Sequence, residues 1–307
     1  MEKKNIIIHI PSSFTYFSGG TLILFYMAKL LSDKGENVRI IDDGSRKENP
    51  LYNNYYDENC GFTQDNTIVI YSEGVEGNPL NAKNIVRWVL CTLGKMYPVE
   101  ITNTYNKNDL VYIYNNEDNI NKENKNIYKL LSPVYLNPIF KNYNRIRKNN
   151  CHMFKKCNMH LNGITKIHSD ESIEIHTFIE HSTLVNILNE CIVFVSYDPL
   201  TFMNILAALC GCISIVYPLH NYNKKEWIMN TTCLSDYMMY NNIDNLYGIA
   251  YGNSEEEIAY AMNTIHLVEE QWKDICNFYN ERHVNNFIND LHNFENMENT
   301  VEKFYNC

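Results

Sequence analysis

The sequence predicts an α/β protein of two domains, each built on parallel strands. Three observations carry that expectation. Short β-branched runs such as Lys4–Ile10 (KNIIIHI) and Thr67–Glu73 (TIVIYSE) read as strands buried on both faces. Helical stretches ending in glycine separate them. The chain has 307 residues, 45% hydrophobic and 20% charged, enough for about two cores.

The elements follow in order. After Lys4–Ile10 comes a Ser- and Gly-rich loop (PSSFTYFSGG), then an apolar helix (TLILFYMAKLLSDKG) closing at Gly35, a C′ glycine. NVRIIDD is the next strand. This β-loop-α-β unit makes the two strands parallel, with a right-handed crossover. Residues 43–66 carry no clear element, and Thr67–Glu73 is the third strand. Pro79 near a start and Gly94 at an end predict a helix across Gly77–Gly94, with Arg87 one turn from Lys83. Asp109–Asn115 (DLVYIYN) and IYKLLSPVYL supply further strands, and LNPIFKNYNRIRKNN reads as the linker.

The second half repeats the pattern. CHMFKK and SIEIH read as strands, STLVNILNEC as a helix, and IVFVSYD as a strand. Pro199 to Asn223 has no charged side chain. Pro199, Asn204, Gly211 and Ser214 interrupt it, so it holds no apolar helix long enough to span a bilayer. It reads instead as a helix (TFMNILAALCG) and its flanking strands. LYGIAYG is a short strand. Ser254 with Glu257 marks a capping box that opens a long helix, followed by a polar helical tail. The expected domains are 1–145, 146–280 and a helical tail, 281–307, packing back on the first.

The net charge is −10. Such a chain gains nothing from non-specific attraction to nucleic acid, so no nucleic-acid partner is expected. A phosphate must be held by a local cluster or by helix N-termini. The 10 Cys lack a dense disulfide spacing, and the first apolar run is too short for a secretory signal. A cytoplasmic protein with reduced thiols is expected. Cys151, His152, Cys157 and His160 match no zinc ligand spacing, so no metal is expected. Heavy use of Asn, Ile, Lys and Tyr reflects an AT-rich genome, as of a virus or parasite.

Several residues could carry chemistry. Asp198 ends a strand just before a helix beginning at Thr201. The N–H groups of that first turn favour an anion, or Asp198 caps its own helix. Gly19 and Gly20 precede a helix beginning at Thr21 and permit close backbone approach to a sugar or phosphate, or else form a plain loop. No G-x-G-x-x-G is present, which disfavours a nicotinamide enzyme. Glu73 and Asn78 follow a strand; Glu73 is an acceptor base or sugar partner, or else a solvated loop carboxylate. His220 follows the strand CISIVYP and is a donor contact or an exposed loop residue.

The stretch YDPLTFMNILAALCGC resembles the donor-site motif of GT-B-fold glycosyltransferases of the group 1 type. It is closest to a capsule- and polysaccharide-type branch carrying SYDPxT…EAALCGC…P. GNPLNAKNIVRW, KKEW and GIAYG fit the same branch in order and spacing. The resemblance implies a GT-B-like fold of two facing Rossmann-type domains, an acceptor-side one and a nucleotide-sugar donor domain. It implies retaining, metal-independent sugar transfer from a nucleoside-diphosphate-sugar co-substrate to a glycan or protein-linked acceptor. Asp198 matches the position that bonds donor-sugar hydroxyls, and Thr201 and Phe202 match the turn facing the phosphates. Lys155 and Lys156 match a basic pair that neutralises the leaving diphosphate. Leu206 stands where the family has a Glu for the ribose, and Leu cannot accept a hydrogen bond. A degenerate, non-catalytic glycan- or partner-binding protein is therefore the alternative. A methyltransferase or dehydrogenase is a third reading.

Overall fold

The computed structural model describes residues 4–42, 49–91, 93, 94, 96–115, 129–154, 165–176, 179–199, 201–220, 222–231 and 233–294. The chain divides into two compact units, Met1–Tyr135 with Cys276–Cys307, and Leu136–Ile275. Each is an α/β layer structure on its own parallel sheet.

The first unit holds six strands: β1 (Asn5–His9), β2 (Val38–Ile41), β3 (Thr67–Ser72), β4 (Asn84–Val89), β5 (Leu110–Ile113) and β6 (Lys129–Leu130). Their order is β2-β1-β3-β4-β5-β6, all parallel. Helix α1 (Gly19–Asp33) connects β1 to β2. It ends in a Schellman motif: Glu36 N–H bonds Leu31 O at 3.0 Å and Gly35 N–H bonds Ser32 O at 2.9 Å. Gly35 has φ +84°, the left-handed conformation that this cap requires. Alternate strand residues feed opposite cores. Ile6, Ile8, Ile68, Ile70, Val86 and Trp88 pack with α1, while Ile7, Val69, Tyr71 and Ile85 form a second cluster with Val75, Phe62 and Leu80. Burial on both faces explains the unbroken apolar runs.

The segment Gly77–Gly94 departs from expectation. It is not a helix but a turn followed by β4, every residue of which is buried. Ile85, Val86, Trp88 and Val89 are strand formers whose neighbours in β3 and β5 lie far along the chain, so tertiary pairing overrides the Pro/Gly brackets. Asn78 organises the turn. Its Oδ1 accepts from Ala82 N–H (2.9 Å) and from the Tyr71 hydroxyl (3.0 Å). Arg87, expected on a helix face with Lys83, is instead fully buried in the sheet.

The second unit has β7 (Asn149–Met153), β8 (Ile173–Glu174), β9 (Cys191–Ser196), β10 (Ile213–Val216) and β11 (Ile249–Tyr251), in the order β11-β10-β9-β7-β8. Counted within each unit, both sheets share one winding order: the first strand sits between the second and the third. Helices α2 (His181–Glu190) and α3 (Met203–Leu209) cover one face through Leu184, Leu188, Ala207 and Cys210. Helices α4 (Lys224–Thr231) and α5 (Ser235–Asn241) follow β10. The other face packs Val195, Tyr197, Ile213 and Ile215 against Ala261 of α6 (Glu255–Thr264).

The capping box at α6 is half formed. Ser254 accepts from Glu257 N–H at 3.3 Å, but the Glu257 carboxylate turns to Tyr251 N–H (2.8 Å) and Lys224 Nζ (2.8 Å). The expected single long helix breaks after Thr264 into a 3-10 turn, α7 (Val268–Phe278), a π turn (Tyr279–His283) and α8 (Val284–His292). The π turn aims Asn280 at Val134, accepting its N–H (2.9 Å) and donating to its carbonyl (3.0 Å). At nine residues α8 is too short to stand alone. Its buried Val284, Phe287, Ile288 and Leu291 join the α1 side of the first core, each contributing roughly 1.5–3 kcal/mol. The expected return of the C-terminal helices is thus present; residues 295–307 lie outside the described residues. Among the described residues no helix is long and apolar enough to cross a membrane.

Candidate functional site

The winding of the second sheet reverses between β7 and β9. Outside the C-terminal ends of strands at such a reversal, open parallel sheets leave a crevice. Asp198 lies there, two residues past β9, and is only 4% exposed. The backbone of Asp198 and Pro199 is held at three points. Ser196 Oγ donates to Asp198 O at 2.8 Å, Thr201 N–H reaches the same carbonyl at 3.3 Å, and Trp227 Nε1 donates to Pro199 O at 3.0 Å. Trp227 in turn stacks on Tyr251, centroids 5.1 Å apart.

Asp198 is not a helix cap. α3 begins at Met203, its N-cap is Phe202, and no side chain caps it. Nor are all the N–H groups of the turn open, as expected: Thr201 uses Asp198 O, Met203 bonds Thr201 Oγ1 at 3.4 Å, and Asn204 bonds Thr201 O at 3.5 Å. These are long bonds that close the turn on itself. Phe202 is 40% exposed, with its ring edge-on to Trp272. Leu206 packs against the buried cluster beneath α2 and α3. Asn204, 1% exposed, keeps both atoms of its side-chain amide buried and, among the described residues, without a hydrogen-bond partner.

Tyr197, next to Asp198 in the chain, meets His168, which in turn meets His152. Its hydroxyl lies 2.7 Å from Nδ1 of His168, and the His168 ring stacks on His152 at 3.6 Å and 9°. Burial and the facing partner ring push His152 down to about 4. Burial, with Lys166 adding, lowers His168 as well. His220 is exposed in the turn after β10. Lys155 and Lys156, and Cys157 and His160, lie outside the described residues. Among the described residues no group of three or more His, Cys, Asp or Glu is placed to hold a metal ion.

In the first unit, Gly19 and Gly20 are the opening residues of α1 rather than the loop before it. Ser18 is the N-cap, accepting from Thr21 N–H at 3.3 Å. A Cβ on Gly20 would sit 3.6 Å from Leu90. Glu73 is not a solvated loop carboxylate. It is 5% exposed, and its two oxygens accept from the N–H groups of Leu90 (3.0 Å) and Cys91 (3.2 Å). Burial raises its pKa, and the two amides oppose that rise. The loop after β3 is braced from below by Arg87. Its guanidinium pairs with Asp109, donates to the carbonyls of Val75 and Gly77, and lies 4.9 and 4.3 Å from the rings of Tyr71 and Tyr105.

Asp198, Thr201 and Phe202 are brought together in one turn of the second unit; Gly19, Gly20 and Glu73 gather at the C-terminal edge of the first unit's sheet. Sequence reasoning missed the cluster of Tyr197, His168 and His152, and Trp227 bonded to Pro199 O. The Tyr beside the Asp in SYDP and the Trp of KKEW were the available signals.

No family model matches the chain, and no curated protein matches it. Solved structures do. An alpha-glucosyltransferase in complex with UDP and a 13-mer DNA containing a HMU base aligns at 10% identity and TM-score 0.49, covering 93% of this chain and 95% of that one. An alpha-glucosyltransferase in complex with UDP aligns at 10% and 0.44, covering 91% and 96%. Spinosyn forosaminyltransferase SpnP aligns at 10% and 0.32, covering 98% and 97%. The chain itself is an α/β protein of two parallel sheets with a common winding order.

Proposed function

We propose that the protein is a glycosyltransferase that moves a sugar from a nucleoside-diphosphate donor to a glycan or protein-linked acceptor, with retention and without a metal. The observation that carries this reading is the place of Asp198: a nearly buried carboxylate at the winding reversal of a parallel sheet, inside the SYDPLT motif. A carboxylate there can accept from donor-sugar hydroxyls in a water-poor crevice. Binding a diphosphate at the following turn would exchange its long internal bonds for shorter, charge-assisted ones. Lys155 and Lys156 would neutralise the leaving group.

Leu206 favours a second reading, a degenerate glycosyltransferase that binds a glycan or partner without turnover. Its side chain packs, partly buried, against the core and has no group to accept from a ribose hydroxyl.

Calorimetric titration with a panel of nucleoside diphosphates, paired with a donor-hydrolysis assay, separates the two. Tight binding and slow hydrolysis, both weakened by Asp198→Asn and Lys155→Ala, are expected. Binding without hydrolysis supports the degenerate protein. No binding to any nucleotide defeats the donor-site assignment.

A further inference from the structure

The contacts of the Tyr197 hydroxyl fix a protonation state. A phenolic oxygen has one proton to give and two lone pairs to receive with. Two backbone N–H groups point at it, from Ile167 (2.8 Å) and His168 (3.3 Å). The remaining contact, 2.7 Å to His168 Nδ1, is therefore the hydroxyl donating to a bare ring nitrogen. His168 is the neutral Nε2–H tautomer. The Tyr197 ring is itself fixed, stacked on Phe154 at 4.6 Å and 3% exposed. It therefore serves as a rigid post for the strap 165–172, which also reaches the sheet through Ser172 Oγ and His152 Nδ1 at 3.0 Å.

A proton on His168 Nδ1 would face an oxygen whose lone pairs are taken. It would also set a cation 3.6 Å from the His152 ring, where two charges cannot coexist cheaply. Among the described residues the other charged groups facing the pair are Lys166, Asp170 and Glu174. Lys166 and Asp170 pair with each other, and Glu174 lies 3.7 Å from His176. Phe154 and Tyr197 close the cluster with uncharged rings.

We propose that Tyr197 is a positioning residue: its hydroxyl pins the strap 165–172 to the residue that precedes Asp198 while His168 is neutral, and protonation of the histidine pair releases the strap. Both imidazoles titrate below the ordinary 6.5, so the clamped state carries fewer protons than the open one. The clamp is complete above 6.5 and is lost as pH falls from there toward about 4. On the reading of Asp198 as a donor ligand, donor affinity falls over the same window.

Histidine side-chain nitrogen NMR and amide exchange on the full chain test this. At about pH 7.5, well above the histidine range, His168 should show a bare Nδ1, and the Ile167 and His168 amides should be protected. After correction for intrinsic exchange, protection should fall about tenfold or more by about pH 5, the equivalent of one hydrogen bond. Tyr197→Phe should remove the protection even at the higher pH and raise the His168 midpoint. His168→Gln, whose amide oxygen can still accept from the hydroxyl, should keep the strap closed at the lower pH. An Nδ1–H tautomer, a His168 midpoint at or above 6.5, or protection indifferent to pH overturns the clamp. These readouts need no nucleotide, so they decide it even if no donor binds. Should a nucleoside diphosphate bind equally well with the strap open and closed, the positioning role is overturned. If Tyr197→Phe does not fold, the wild-type tautomer and midpoint decide alone.

Discussion

Arg87 Nε lies 2.7 Å from Asp109 Oδ2, and both side chains are sealed from water. Desolvation raises the Asp109 pKa, and the guanidinium pulls it back. Removing one partner leaves the other charge stranded in the sheet. Arg87→Met should therefore lower unfolding free energy by about 3–5 kcal/mol, while Arg87→Met with Asp109→Leu should recover a large part of that loss. Denaturant melts of the two variants check this; equal losses would mean that the pair acts only through the Val75 and Gly77 carbonyls.

Glu73 staples the end of β3 to the end of β4. A glutamine there can accept from only one of the Leu90 and Cys91 amides and sets its own NH₂ against the other. Glu73→Gln should cost about 1–3 kcal/mol, the penalty of a buried unpaired donor. Amide exchange should show Leu90 and Cys91 opening first.

Gly211 follows α3 with φ +88°, and a Cβ there would lie 2.8 Å from Asn142 Cγ, beneath the Arg147 guanidinium. Arg147 holds the 141–148 segment by bonding the carbonyls of Leu188 (2.9 Å) and Cys191 (2.7 Å). Gly211→Ala combines a left-handed backbone with that collision. A loss of about 1–3 kcal/mol from the backbone alone is expected, read as a lowered Tm.

Tyr112 donates to Asp290 Oδ2 at 2.6 Å, and burial, with this carboxylate adding, holds the phenol well above its usual pKa. Tyr112→Phe should weaken the seat of α8 by about 1.5–3 kcal/mol, the range for a hydrogen bond to a charged group. Proteolysis after the π turn should accelerate. Unchanged cleavage would mean that the four apolar side chains of α8 hold it unaided.

Asn204 makes an opposite prediction. Its buried amide has no partner among the described residues, so Asn204→Leu, close to it in shape, should raise Tm rather than lower it. If the same variant loses nucleotide affinity, the amide is kept for the donor turn at a cost in stability.

Most strands were legible because burial on both faces writes itself as a continuous β-branched run, as in Ile6–Ile8 and Ile68–Ile70. β4 was not. Arg87 and Asn84 break its apolar run into something helix-like, and the partner that makes Arg87 tolerable, Asp109, stands 22 residues later. Asp198 was readable from a local motif. The clamp on the preceding residue was not, since Tyr197 and His168 are 29 residues apart and nothing local to either announces the other. Thr264 likewise gave no warning that the long helix would break there.

The first unit is discontinuous, and synthesis runs in one direction. A nascent chain that has reached Ile275 has emitted every strand of both sheets, yet Val284, Phe287, Ile288 and Leu291 do not exist. The later-made half can mature on the ribosome while the earlier-made half waits with a raw apolar face. The order of birth and the order of completion are therefore reversed, and chaperone demand should concentrate on the N-terminal unit until α8 is made.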